Sequence, residues 1–161
     1  MNNIIKQWSM PDILKERNIK FVFDSNEIID KVNSLESKHS KEYYEDLHYR
    51  EGSIKFCLYN FESNEIVFTM DFLEIGNSSR SNYIKLQILY VNNPELRNKG
   101  IATYYLRKLR DYAVERGIPK IKVYVDTNDK LFENKENALS KEELTKFYRS
   151  IEIDKVNIDI Y

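Results

Sequence analysis

Residues 85–126, KLQILYVNNPELRNKGIATYYLRKLRDYAVERGIPKIKVYVD, allow few folds. They read as a strand, a tight turn containing a glycine, a long amphipathic helix and a second strand. Ile101, Tyr105, Leu109, Tyr112 and Ala113 fall on one helical face, with Arg107, Lys108, Arg110 and Asp111 mostly elsewhere. Gly117 supplies a left-handed stop and Pro119 bars continuation. Lys120–Asp126 then alternates Ile121, Val123 and Val125, a strand period. A strand-helix-strand unit of this length is normally a right-handed crossover between parallel strands. Where the turn becomes the helix stands Arg97-Asn98-Lys99-Gly100-Ile101-Ala102. A helix start leaves about four backbone N–H groups without intrahelical partners. The aligned peptide dipoles add roughly half a positive charge there. Such a turn is an anion site, and its usual anion is a phosphate.

The flanking chain extends the pattern on both sides. Residues 1–19 leave room for a short helix around Trp8, Ile13 and Leu14, with Pro11 in its first turn. Lys20–Phe23 is a short β-like run. Asp24 and Glu27 have capping spacing, and Ile28, Ile29, Val32 and Leu35 predict a helix over residues 26–37. Tyr43, Tyr44 and Leu47 predict a second helix over 41–49. In Ser53–Asn60, Ile54, Phe56 and Leu58 alternate with Lys55, Cys57 and Tyr59. In Glu65–Ile75, Ile66, Phe68, Met70 and Phe72 alternate with Val67, Thr69, Asp71 and Leu73. Residues 53–91 therefore predict three antiparallel strands. After the polar connection 127–139, Ser140 and Glu143 form a capping box before Leu144, Phe147, Tyr148 and Ile151. Lys155–Tyr161 predicts a final strand. The fold class is α+β (mixed α/β): a central sheet that turns from antiparallel to parallel, flanked by about four helices, in a single domain spanning 1–161.

Composition weighs against several functions. Lys+Arg 25 against Asp+Glu 26 gives a formal net charge of -1, with no general electrostatic drive towards nucleic acid or acidic membranes. Cys57 is the only cysteine, so no internal disulfide is possible. His39 and His48 have no Cys or His companions at ligand spacing, so no metal site is expected. No apolar run approaches a membrane span, and MNNIIKQWSM lacks the features of a secretory signal. The expected setting is cytoplasmic, without nucleic-acid or membrane partners, as a monomer or homodimer.

Arg97-x-x-Gly100-x-Ala102 between strand and helix, with Leu89-Tyr90-Val91 before it and Asn93-Pro94-Glu95 leading in, resembles the GNAT superfamily of N-acetyltransferases. That family carries Gln/Arg-x-x-Gly-x-Gly/Ala at this place. The resemblance is strong over 85–126 and weaker over Leu144–Ile153, where Phe147-Tyr148 looks like the aromatic pair of a later family helix. The Gly-x-Gly-x-x-Gly fingerprint of dinucleotide sites and the P-loop Gly-Lys-Ser/Thr are both absent.

The resemblance implies a GNAT-like sheet with a bulge that splays the central strand from the next one. It implies acetyl-coenzyme A as co-substrate, with its pyrophosphate on Arg97, Asn98, Lys99, Gly100, Ile101 and Ala102. The pantetheine arm would pair with the strand edge at Leu89, Tyr90 and Val91, like an added strand. Gly100 would let backbone approach phosphate, and Ala102 would keep the first helical turn slim. A small-molecule or peptide amine would attack the thioester directly, helped by a backbone N–H near Leu89 or Tyr90. Tyr148 is the matching catalytic acid.

The sequence departs from the family in two places. Many relatives carry a Glu on the central strand, where this chain offers Lys85 and Gln87. Asp71 and Glu74 are positional substitutes. After Tyr148 the family's Gly-Phe is replaced by Ser150-Ile151-Glu152-Ile153. Asn128 and Asn137 are alternative coenzyme contacts, and Glu42, Glu45 and Asp46 could attract a cationic amine. These departures keep open a coenzyme-binding or protein-interaction module without turnover. The acceptor is not legible in the sequence.

Overall fold

A computed structural model of the chain describes residues 2–15, 17–23, 53–76, 82–125 and 136–161. The helices predicted over 26–37 and 41–49, the acidic trio Glu42, Glu45 and Asp46, and Asn128 lie outside the described residues.

Two short helices, α1 (Asn2–Gln7) and α2 (Asp12–Lys15), precede β1 (Ile19–Val22). Then come β2 (Ser53–Asn60), β3 (Glu65–Ile75) and β4 (Tyr83–Val91). A 3-10 turn (Pro94–Leu96) leads to the long helix α3 (Ile101–Glu115) and to β5 (Lys120–Val123). Helix α4 (Lys141–Arg149) and β6 (Asn157–Ile160) follow. The strands form a single six-stranded sheet in sequence order. Pairing is antiparallel from β1 to β4 and parallel from β4 to β6. The antiparallel half thus holds four strands, because the short run at Ile19–Val22 joins the edge beside β2.

Helix α3 buries Ile101, Tyr105, Leu106, Leu109, Tyr112 and Ala113 against the sheet, the face read from the sequence with Leu106 added. Tyr105 stacks on Phe68 at 4.8 Å and Trp8 stacks on Phe72 at 5.9 Å. The N-terminal segment is pinned across the helix by hydrogen bonds from Tyr104 to the Trp8 carbonyl and, at 3.1 Å, from Tyr105 to the Ser9 carbonyl. The helix ends in a Schellman motif. Gly117 takes φ 65°, its N–H donates to Val114, and Ile118 N–H donates to Ala113 at 2.8 Å.

Two bulges alter the expected alternation. Leu58 pairs with Phe68 but Tyr59 with Ile66, so Val67 is an extra residue in β3. Ile66 consequently joins Val22, Cys57, Tyr59 and Ile88 on the far face rather than the Phe68–Met70–Phe72 face. In β4, Phe72 pairs with Leu86 but Asp71 with Ile88, which leaves Gln87 extra. Ile84 and Leu86 therefore share the main core with Leu89 and Val91, while Ile88 and Tyr90 turn to the other face. Beyond this bulge β4 loses its parallel neighbour: its pairing with β5 covers only Ile84–Leu86 against Ile121–Val123. β5 continues towards β6 through Val125, whose N–H donates to Tyr161. The two central strands diverge, and a cleft opens between them.

Candidate functional site

The cleft has a volume of about 650 Å³. Leu89, Tyr90 and Val91 of β4, Arg97, Asn98, Gly100, Ile101 and Ala102 of the turn, and Tyr148 of α4 all line it. Of the residues expected to hold the coenzyme or act as the acid, Lys99 alone is not part of the lining; it is exposed. Elements far apart in the chain thus meet at one cavity.

One end presents backbone N–H groups. Asn98 takes φ 59° and Gly100 φ 84°, both left-handed. Gly100 is the N-cap of α3 without any side-chain cap, and the first helical bond runs from Tyr104 N–H to the Gly100 carbonyl at 2.9 Å. None of the backbone N–H groups from Asn98 to Thr103 donates to an acceptor among the described residues. Successive N–H groups in such a turn form an anion-binding concavity at the positive end of the helix dipole. A Cβ built at Gly100 meets nothing within 4 Å, so the protein itself leaves this approach open.

Arg97 occupies a different place from the one its charge suggests. It is 7% exposed. Its Nε donates to the Val91 carbonyl at 3.0 Å, one Nη donates to the Tyr90 hydroxyl at 2.6 Å, and the other to the Glu136 carbonyl. The guanidinium also lies over the Tyr90 ring, 5.1 Å from its centroid. Asn98 Nδ2 donates to the Asn137 carbonyl at 3.3 Å, and Asn137 Nδ2 to the Pro94 carbonyl at 3.4 Å. Arg97, Asn98 and Asn137 together tie the turn to the segment entering α4.

The middle of the cleft is a strand edge. Val91 C=O faces the open side, as its bond from Arg97 requires, while Asn92 N–H points to β3 and the Val67 carbonyl. By the two-residue period, the N–H and C=O of Leu89 face the open side as well.

The far end is α4, started by the expected capping box: Ser140 N–H donates to Glu143 at 2.8 Å, and Glu143 N–H to Ser140 Oγ at 3.3 Å. Tyr148, 7% exposed, tilts against Phe147 at 5.1 Å between ring centroids. Its hydroxyl has no hydrogen-bond partner among the described residues, and burial pushes the phenol well above its ordinary value. It keeps its proton and remains a donor.

The substitute carboxylates fare differently. Glu74 accepts from the Tyr112 hydroxyl and, at 3.4 Å, from Arg116, and it does not line the cleft. Asp71 is 5% exposed, and it too is absent from the lining; it accepts from Gln87 Nε2 at 3.2 Å. Gln87 does line the cleft, as do Thr103, Tyr124 and the 138–140 segment, none of which the sequence motif singled out as site residues. Two carried a usable signal: Thr103, by its place in the first turn after Ala102, and Gln87, on the stretch of the central strand where many relatives carry a Glu.

Residues 19–132, well over half the chain, match the sequence profile of the Acetyltransferase (GNAT) family. The chain belongs to the GNAT family. Solved structures agree at the level of fold. A ribosomal-protein-alanine N-acetyltransferase from Brucella melitensis biovar Abortus 2308 is 19% identical with a TM-score of 0.52, over 84% of this chain and 90% of that one. An acetyltransferase from Trypanosoma brucei is 13% identical with a TM-score of 0.52, over 84% and 92%. A transcriptional regulator from Bacillus halodurans C-125, 12% identical with the same TM-score over 84% and 93%, shares the fold under a different description. No curated protein matches the chain significantly. In this GNAT chain the divergent β4–β5 pair and the uncapped turn before α3 lie together, so the family's fold and the cleft coincide.

Proposed function

We propose that the chain is an N-acetyltransferase that uses acetyl-coenzyme A to acetylate a primary amine, in the cleft beside β4. The observation that carries this reading is the run of six backbone N–H groups, Asn98 to Thr103, without acceptors among the described residues. They suit a pyrophosphate, and the open edge at Leu89 suits an extended amide-bearing arm. The fit is therefore good at two independent points of one cavity. When bound, the coenzyme supplies an activated acetyl thioester.

The protein's own groups do the rest. The turn binds the anionic end, with Arg97 and the two asparagines holding its shape. Leu89 orients the arm through main-chain bonds. Leu144 and Phe147 line the cleft with apolar surface and keep water from the reacting centre. Tyr148 Oη, kept protonated by burial, would hand its proton to the departing sulfur while the proton released by the attacking amine returns to it, so that no phenolate is left behind. The acceptor is a small-molecule or peptide amine. The Brucella neighbour's name, a ribosomal-protein-alanine N-acetyltransferase, makes a peptide α-amine a sensible first member of the acceptor panel.

Titration calorimetry with acetyl-coenzyme A tests the reading. Saturable binding is expected, and its absence at millimolar ligand sinks the proposal. Thiol release across a panel of amines then separates an enzyme from a silent coenzyme-binding module. Binding without acceptor-dependent release favours the module.

A further inference from the structure

We propose that Gln87 receives and orients the acceptor amine, with Asp71 as the positioning residue behind it. This rests on the acetyltransferase reading above and names the group that meets its second substrate.

Gln87 is the extra residue of the β4 bulge: cross-strand partners pass from Leu86 to Ile88 without it. Bulges re-aim side chains next to active sites. This one sits directly after Leu86, the last β4 residue paired with β5, where the cleft begins, and Gln87 lines that cleft. Its Nε2 donates to Asp71 Oδ2 at 3.2 Å. Asp71 comes from β3, is 5% exposed and does not reach the cleft wall. A carboxylate oxygen accepts and does not donate, so the contact settles which end of the amide faces β3. Oε1 must face away from Asp71, on the cleft side, as a neutral acceptor for an N–H donor.

The chemistry suits a primary amine. Such a nucleophile can donate one N–H to Oε1 and keep its lone pair free. A carboxylate in direct contact would favour the ammonium form, which has no lone pair. An amide carbonyl exerts less of that pull. Gln87 takes up no proton itself; it orients the nitrogen, and Asp71 keeps the amide from turning over.

The probe is methylamine with acetyl-coenzyme A, read as coenzyme A thiol released against methylamine concentration. The wild-type rate should rise with methylamine. Gln87→Leu should lower that slope about tenfold or more, with acetyl-coenzyme A affinity by calorimetry unchanged. Gln87→Glu should retain the slope at alkaline pH and show an acidic limb that the wild type lacks. Asp71→Asn, which frees the amide to turn, should lower the slope less than Gln87→Leu, and adding it to Gln87→Leu should cost nothing further. A Gln87→Leu slope equal to that of the wild type overturns the inference. So does a wild-type protein that binds acetyl-coenzyme A and releases no thiol in response to methylamine. Failure of the wild type to bind acetyl-coenzyme A overturns the parent reading, and this inference with it.

Discussion

Gly100 meets two separate demands. Its φ of 84° is one that L side chains rarely adopt, and under the proposed coenzyme reading its missing Cβ would also leave room for phosphate. The two demands can be separated by substitution. Gly100→Ala meets no neighbouring atom and should cost only the strain of the left-handed backbone, about 1 kcal/mol by chemical denaturation. Gly100→Glu adds charge and bulk where phosphate would lie, and acetyl-coenzyme A binding should vanish in calorimetry while the protein stays folded. Arg97 offers a similar separation. If its positive charge were what mattered, Arg97→Lys would behave like the wild type. Its bonds to Val91, Tyr90 and Glu136 instead use the fork of the guanidinium, which an ammonium cannot reproduce. Arg97→Lys should therefore lose about 2 kcal/mol of stability and weaken coenzyme binding together. Tyr148→Phe removes only a hydroxyl that bonds to no described group, so the fold should tolerate it. Turnover should fall about a hundredfold with coenzyme affinity unchanged, and equal turnover would remove Tyr148 from the chemistry.

At the level of elements, local signals and pairing signals behave differently. The start of α4 is written in four adjacent residues, Ser140 to Glu143, and forms as expected. Ser140→Ala should lower stability by about 1 kcal/mol, visible as a reduced denaturation midpoint. The end of α3 at Gly117 and the buried stripe of that helix were equally legible, since each depends on residues within a few turns of one another. A bulge on the central strand was implied by the family resemblance, but the residues at which the two bulges fall were not legible. Whether Gln87 or Val67 is the extra residue depends on how β4 and β2 register against β3, and a strand's own period cannot report that. This is why Ile66 was expected beside Phe68 and is found on the opposite face. It is also why the Arg97–Ala102 motif could be read directly, while the sequence offered Gln87 beside Lys85 without showing which of them the bulge turns into the cleft. The turn 97–102 is contiguous in sequence; the Gln87–Asp71 contact spans two strands.

The whole molecule is held by an aromatic core, and its pH response follows from that. Tyr105, Tyr112 and Tyr148 are buried with their rings among Phe56, Phe68, Phe72, Trp8 and Phe147. Burial raises all three phenols, and for Tyr112, where the Glu74 carboxylate adds to it, the value is pushed up to about 12 from the ordinary 10.0. Above pH 10 an unfolded chain releases these protons while the folded one retains them. The folded state then binds more protons, so stability must fall as pH rises. The contribution is complete below the unfolded value of 10.0 and is lost on the way up through about 12 for Tyr112, and higher for the other two. Urea denaturation midpoints on either side of pH 10 should show this decline. Tyr105→Phe gives up the bond to the Ser9 carbonyl and should start from a lower midpoint, yet decline less steeply, because one of the three protons no longer counts. A wild-type midpoint that is level across this range, or a Tyr105→Phe slope as steep as the wild type's, would show that the core tyrosines ionise as freely folded as unfolded. The packing of Tyr105 does not permit that, because its side chain is fully buried and its hydroxyl donates to the Ser9 carbonyl, so a phenolate there would set its charge against a carbonyl oxygen.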